Sequence, residues 1–234
     1  MSQTERIHAL LIPTAGIIPR VTRASQPRLG LKTARRGINL TTSPLFLQRP
    51  ALAAALDPTT ISRAKLGDID AFTAIVEAYH PRCMRFARAM LRNPDDAEDM
   101  VQETFVRLYR ALPRYEERQR FESWLFQILG NCCRTANTAS RRHDAHTVED
   151  DDVLERVPSP DMPGTRFDNE WGDDVRRALA EVPDYNREIF LLHYIEGFAY
   201  DEIERMTGIK QSALKMRVKR ASDMLRSRLA ERYG

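Results

Sequence analysis

The stretch YDEIERMTGIKQSALKMRVKRASDMLRSRL, residues 200–229, decides the fold of the C-terminal part of the chain. Residues 200–207 have a helical pattern, and Gly208 is expected to end that helix because glycine readily adopts the left-handed conformation of a helix terminus. A longer helix follows, since apolar residues then recur every three or four positions. A short helix, a tight turn and a long helix together predict a helix-turn-helix motif. The apolar stripe of the long helix comprises Leu214, Val218, Ala221, Leu225 and Leu229.

The long helix of this motif is basic on the side away from its apolar stripe. A cationic helix gains affinity for DNA by releasing the counterions that surround the phosphates, and side chains near its N-terminal end can reach base edges in the major groove. The alternative is an ordinary helical hairpin whose lysines are only solvated. The pattern therefore makes this helix a candidate DNA-binding element. The candidate contact residues are Lys210, Gln211, Ser212, Lys215, Met216, Arg217, Lys219 and Arg220.

A second helical region spans residues 61–142. One apolar stripe starts at Phe72 and another at Cys83, and we expect these to be two helices. The Asn-Pro pair at 93–94 breaks the pattern, and one of the two aspartates after it caps a third helix. A fourth helix starts at Phe121. Four helices joined by short turns can bury the core of a bundle.

The chain as a whole is expected to be all-α, with two small helical domains joined by a flexible acidic linker. Its 234 residues suffice for two small domains, and charge and proline content change sharply along the sequence. The basic leader lacks helical or strand periodicity. We interpret it as disordered or as the product of a misassigned start, with an organelle transit peptide as a further alternative. The expected divisions are the leader at 1–57, a helical bundle at 58–142, the linker at 143–166 and a helix-turn-helix domain at 167–234.

The composition disfavours several chemistries. No Gly-rich phosphate-binding loop and no arrangement of nucleophile, base and orienting group is recognisable, so we expect neither an enzyme nor a cofactor. The 3 cysteines cannot form a disulfide framework, which favours a reducing compartment. Cys132 and Cys133 are adjacent and lack the two-residue gap of common zinc motifs, so no metal site is expected. The apolar stretches are far too short for a transmembrane helix, so membrane insertion is not expected.

Two separate motifs resemble one known family. The stretch LHYIEGFAYDEI, residues 192–203, is similar to region 4 of bacterial RNA polymerase sigma factors of the extracytoplasmic-function (ECF) type. The stretch DAEDMVQETF, residues 96–105, resembles the DAEDLVQETF motif of region 2 in the same family. Residues 121–131 fit the later region 2 pattern, although the family often has Arg at the positions of Gln127 and Gly130. Two motifs in the right order identify the chain as a member of this family.

The resemblance implies a cytoplasmic transcription initiation factor and its partners. These are core RNA polymerase, through the clamp helices of its largest subunit and its flap, together with promoter DNA and an anti-sigma factor. The third helix of the bundle carries an acidic ridge with one aliphatic residue, Val106, and such a ridge suits docking on a basic partner helix. The resemblance assigns core binding to Asp96, Asp99, Gln102 and Glu103.

The resemblance also implies that the bundle recognises and melts the −10 promoter element, while the helix-turn-helix reads the −35 element. Unpaired bases are bound by aromatic or planar surfaces together with cations that follow the backbone. The acidic linker would thread toward the RNA exit path of the polymerase, and a solvated tether is the alternative. The −10 candidates are Arg114, Tyr115, Arg118, Arg120, Asn131, Arg134, Asn137, Arg141 and Arg142.

Two other classes of protein remain as alternatives. A DNA-binding regulator or repressor would use the helix-turn-helix alone, and it would need a ligand-binding or receiver domain in place of the helical bundle. A helical adaptor would bind no DNA, and its basic face would only be solvated. Run-off transcription with core polymerase distinguishes these three hypotheses.

Overall fold

A computed structural model describes residues 56, 58–116, 120–146 and 170–233, and across these residues the secondary structure is helical, which confirms the all-α prediction. All of them belong to one unit, Leu40–Gly234. We call α1–α4 the N-terminal lobe and α5–α8 the C-terminal lobe. The helices are α1 Pro58–Lys65, α2 Ile69–Met90, α3 Pro94–Ala111, α4 Phe121–His146, α5 Glu170–Glu181, α6 Asp184–Phe190, α7 Tyr200–Thr207 and α8 Gln211–Tyr233.

Helix α2 corrects the predicted division of the first two helices. It starts at the N-cap Asp68, whose side chain accepts hydrogen bonds from the backbone N–H groups of Asp70 and Ala71, both at 3.0 Å. It then continues through Pro81, where the sequence pattern predicts two helices. The two predicted stripes form one buried face, so packing along the whole helix outweighs the backbone hydrogen bond that proline removes. The buried residues on this face include Phe72, Ile75, Tyr79, Cys83, Phe86 and Met90.

The core of the N-terminal lobe lies where α3 and α4 pack on each other and on α2. The ring of Phe86 on α2 meets the ring of Phe126 on α4 edge to face, with centroids 5.6 Å apart. The predicted stripe of α3 is buried, which follows from its spacing of three and four residues. Its members are Ala97, Val101, Phe105, Leu108 and, in the short 3₁₀ turn after α3, Leu112.

The C-terminal lobe is built around α8. Helix α6 starts after Pro183, as predicted, and continues as a π-helical turn over Leu191–Ile195 before Gly197. Helices α5, α6 and α7 all contact α8, and the predicted apolar stripe of α8 is buried throughout. The burial of this stripe turns the opposite face of α8 outward, which positions its basic residues.

The boundaries of the predicted linker differ from the structure at one end. Helix α4 continues to His146, so the helical bundle extends beyond residue 142. Residues 147–166 of the predicted linker, residues 167–169 after it, and the leader apart from Leu56 lie outside the described residues. Within the described parts of the chain, no helix is long and apolar enough to cross a membrane.

Candidate nucleic-acid and polymerase interfaces

The helix-turn-helix is formed by α7, a three-residue turn and α8. Gly208 ends α7 in the left-handed conformation, with φ of 71°, and its N–H donates to the carbonyl of Glu204 at 2.8 Å. Glu202 stabilises the other end of α7 by accepting a hydrogen bond from the backbone N–H of Ala199 at 2.9 Å. Helix α8 then starts after Lys210, whose carbonyl accepts from the N–H groups at the start of the helix. The turn is therefore fixed at both ends.

The predicted −35 residues lie at the N-terminal end of α8 or on its outward face. The ammonium of Lys215 lies 5.8 Å from the ring centroid of Tyr200, and the guanidinium of Arg217 lies 5.5 Å from that of Tyr185. Lys219 forms an ion pair with Asp223 one turn later, at 2.8 Å. Arg217 is half-buried, and the other seven are exposed: Lys210, Gln211, Ser212, Lys215, Met216, Lys219 and Arg220.

The predicted core-binding residues share one face of α3. Asn93 caps the start of this helix, its side chain accepting from the N–H of Asp95 at 2.9 Å. Glu103 accepts a hydrogen bond from Arg107 Nε at 2.7 Å, and both side chains are about half exposed. Val106 differs from the expectation, because it is 7% exposed and belongs to the core rather than to the ridge. Asp99 is exposed, and the half-buried members of the face are Asp96, Gln102 and Glu103.

The predicted −10 residues before α4 divide into two groups. Arg114 and Arg120 are exposed, whereas Tyr115 is 7% exposed and stacks on Trp124 with ring centroids 4.7 Å apart. The Tyr115 carbonyl also accepts a hydrogen bond from Lys65 Nζ at 2.6 Å. Stacking of Tyr115 on a base would therefore require its ring to leave the core. Arg118 lies outside the described residues.

The remaining −10 candidates lie along α4. Asn131 and Arg134 are exposed and bonded to each other, Arg134 Nη2 donating to Asn131 Oδ1. Asn137 donates to the Met90 carbonyl at 3.2 Å and so binds the end of α2. Arg141 and Arg142 are exposed. All five of these polar side chains thus lie on one helix, although Asn137 has a structural partner.

Contacts between the lobes involve several of the same residues. Arg134 forms an ion pair with Glu188, Arg141 with Asp184 at 2.8 Å, and Arg120 with Glu202 at 3.4 Å. Sequence reasoning did not single out these three carboxylates as partners, because they lie 43 to 82 positions away along the chain. The sequence offers one sign of this packing, Gly130, because a glycine inside a helix often lies where another segment approaches closely.

A buried cluster links the lobes next to these pairs. Arg82 Nε donates to Glu196 Oε2 at 3.0 Å, and Arg82 Nη1 donates to Glu122 Oε1 at 3.1 Å. The Glu196 side chain is 0% exposed, so burial raises the pKa of its carboxyl, an effect that Arg82 partly offsets. Burial likewise raises the pKa of Glu188, and Arg134 partly offsets that shift. The interface thus places carboxylates where their charge needs a cationic partner.

The 3 cysteines are all buried and free. Burial raises the pKa of Cys83 above its ordinary range and that of Cys133 to about 12, so both are protonated thiols at neutral pH. Within the part of the chain that the structure describes, no group of three metal-ligating side chains is close enough to hold an ion.

Comparison with known families matches both lobes. The family model for Sigma-70 region 2 matches residues 75–143, and the model for Sigma-70 region 4 matches residues 172–225. The RNA polymerase sigma factor CarQ of Myxococcus xanthus is 32% identical over 171 residues, which cover 73% of this chain and 96% of CarQ. The ECF RNA polymerase sigma factor ShbA of Streptomyces griseus is also 32% identical, over 73% of this chain and 93% of ShbA.

Two solved structures share the fold. CnrH, in complex with the cytosolic domain of CnrY, is 23% identical with a TM-score of 0.55 and covers 75% of this chain and 98% of its own. RpoE of Bartonella quintana, in complex with the anti-sigma factor NepR, is 25% identical with a TM-score of 0.55, over 68% of this chain and 96% of its own. The sequence motifs, the two lobes and these relatives together show that the chain belongs to the sigma-70 family of bacterial RNA polymerase sigma factors, as a member of the ECF type.

Proposed function

We propose that this sigma factor selects promoters by holding two DNA-reading surfaces at a fixed separation on core RNA polymerase. The N-terminal end of α8 reads the −35 element in the major groove, and α4 with the segment before it captures and melts the −10 element. When one surface has bound its DNA element, the other is held close to its own element at a raised effective concentration. The pair can therefore be specific although neither surface binds DNA tightly alone.

The observation that supports the −35 assignment best is the separation of the faces of α8. Leu214 and Val218 are buried in the lobe, while Gln211, Lys215 and Met216 between and before them are exposed. The buried side of the helix holds it on the lobe, so the exposed side chains of its first turns are available to enter the major groove. The −10 assignment is supported by the exposed cations along α4, which are Arg134, Arg141 and Arg142.

We further propose that α3 docks on the polymerase through Asp96, Asp99, Gln102 and Glu103. Their spacing of three and four residues places them on one face of the helix. Negative charge on this face complements a basic helix, and such complementarity increases the association rate and fixes the orientation. An anti-sigma factor that covers these surfaces is a further expected partner, since RpoE of Bartonella quintana was solved with one. Both proposals place the protein in the cytoplasm with the polymerase.

The test is run-off transcription with purified core polymerase and a promoter identified by mapping the transcripts that overexpression induces. We expect Glu103→Lys to abolish core binding in gel filtration, while Glu77→Lys, an exposed charge reversal on α2, leaves it intact. We expect Lys215→Ala to weaken promoter binding and lower its dependence on salt by about one phosphate contact. It should leave core binding unchanged.

A matched control for Lys215→Ala is Arg228→Ala, which removes a cation from the C-terminal half of the same helix, where Arg228 pairs with Glu181 at 2.6 Å. Promoter-specific initiation that survives both Glu103→Lys and Lys215→Ala would show that these site assignments are wrong. Failure of the wild-type chain to direct initiation from any promoter would overturn the function itself.

A further inference from the structure

Met216 is an exposed apolar residue on the surface of α8 that is assigned to the −35 element. It is 51% exposed, and it is one of three large hydrophobic residues that are exposed in the described part of the chain. A single exposed apolar residue on a protein surface needs no explanation in general. Met216 differs because of its position, since most of the residues around it are polar or cationic and are proposed to meet DNA.

Met216 lies on the side of α8 opposite the buried stripe. Successive residues of an α-helix are rotated by about 100°, so Met216 points about 180° away from the mean direction of that stripe. A recognition helix that packs through one side presents the opposite side to the base edges of the major groove. Ala213 is also exposed and lies three positions earlier, next to Met216 on the helix surface. The two residues together form an apolar surface where the bases come closest.

Cationic side chains border this apolar surface. The ammonium of Lys215 lies 5.8 Å from the ring centroid of Tyr200, and that of Lys219 donates to Asp223 Oδ2 at 2.8 Å. Both cations are thus held by neighbouring groups of the C-terminal lobe. In protein–DNA interfaces, cations mostly meet the phosphates, whereas sequence is read at the base edges. The arrangement therefore leaves the reading of a base edge to the apolar residues between the cations and the groove.

The methyl group of thymine is the part of a base that suits an apolar surface. In the major groove, adenine, guanine and cytosine present only hydrogen-bonding groups, whereas thymine also presents its C5-methyl group. A thioether is a weak acceptor and no donor, so covering a polar base edge with it would remove hydrogen bonds to water without replacing them. Contact with a methyl group instead removes apolar surface of both partners from water.

We propose that Met216, with Ala213 beside it, recognises the C5-methyl group of a thymine in the −35 element. The proposal rests on the proposed −35 function of α8 and adds the chemical group that the helix reads. It places an A·T base pair at the position that faces Met216. Because the contact is hydrophobic, its contribution does not depend on salt, in contrast to a phosphate contact made by Lys215.

The test replaces each thymine of the −35 element in turn by deoxyuridine, which lacks the methyl group but keeps the hydrogen-bonding groups. The probe is a labelled duplex carrying the mapped promoter, and its affinity for the holoenzyme formed with core polymerase is measured by fluorescence anisotropy. Met216→Ala and Met216→Gln remove the apolar contact, whereas Met216→Leu retains it. The matched control is Met224→Ala, the same change at a half-buried position about two turns further along α8.

For the wild type, we expect deoxyuridine at one position to weaken binding about fourfold, which corresponds to the transfer of one buried carbon at about 0.8 kcal/mol. With Met216→Ala or Met216→Gln, thymine and deoxyuridine at that position should bind equally. Met216→Leu and Met224→Ala should keep the discrimination. Met216→Ala should also leave the salt dependence of binding unchanged, which a displacement of the whole helix from the phosphates would alter.

The possible failures are distinguishable from one another. If deoxyuridine has no effect at any position while Lys215→Ala still weakens promoter binding, methyl recognition is wrong and the proposed −35 function stands. A −35 element without thymine on either strand would lead to the same conclusion. If the effect persists in Met216→Ala, another residue reads the methyl group. If scrambling the −35 element leaves the affinity unchanged, the −35 function is wrong, and the inference is overturned with it.

Discussion

Substitutions at Leu214 and Met216 can test the stability of α8 separately from its role in DNA recognition. Its side chain is 0% exposed, whereas Met216, two positions later, is 51% exposed. Replacing leucine with alanine removes three carbon atoms, which corresponds to a transfer free energy of about 2.4 kcal/mol at about 0.8 kcal/mol for each buried carbon. The cavity left in the rigid core adds to this value, and we expect Leu214→Ala to lower the free energy of unfolding by about 3–4 kcal/mol.

The measurement is urea unfolding followed by far-ultraviolet circular dichroism, with Met216→Ala as the matched control on the same helix. Met216→Ala should change the free energy of unfolding by at most about 0.5 kcal/mol, because a half-exposed side chain contributes little to the core. It should instead alter binding to the promoter. A loss below about 1 kcal/mol for Leu214→Ala would show that α8 is not anchored by its apolar stripe.

Three further perturbations test other parts of the structure. Asn93→Ala should destabilise α3 by about 1 kcal/mol in thermal unfolding, and Asn93→Asp should restore most of that loss, because either Asn or Asp can cap the helix. Arg82→Met would leave Glu196 as an unpaired buried carboxylate while the lobes stay in contact, so we expect the lobes to separate and the radius of gyration from small-angle X-ray scattering to increase. An unchanged radius would contradict this. Glu188→Gln tests pH dependence. Burial raises the folded pKa above the ordinary 4.5, so the stabilisation from proton binding is full below pH 4.5 and is lost as the pH rises through the folded value. The Tm of Glu188→Gln should therefore rise relative to the wild type between about pH 4 and pH 7, and a constant difference would contradict the raised pKa.

The fold was predictable wherever apolar spacing determines it. The stripes of α3 and α8 are buried as predicted, because a helix that must bury an apolar face has few other ways to do so. The helix break expected near Pro81 is absent, since proline lowers helix stability locally while the buried face on either side extends through it. Local signals therefore predict that helices exist more reliably than they predict where each one ends.

The candidate sites were predictable only in part. The exposed residues of α8 follow from the stripe opposite them, so their positions could be predicted from the sequence. The burial of Tyr115 could not, because it depends on Trp124 and Lys65 from other segments. The pairing of carboxylates with the arginines of α4 could not be predicted either, since contacts between residues distant in sequence depend on how the lobes pack. Gly130 was the one local sign of that packing.

Because all three thiols are buried, their reaction with an added reagent can report partial unfolding of the protein. A thiol-specific reagent attacks the thiolate, and all three side chains are shielded from solvent. The raised pKa values of Cys83 and Cys133 also keep these two thiols protonated at neutral pH. Modification must therefore await an opening of the N-terminal lobe, so the rate of modification measures how often its helices separate. The same shielding lets a spectroscopic probe be attached at an engineered surface cysteine while the natural ones are retained.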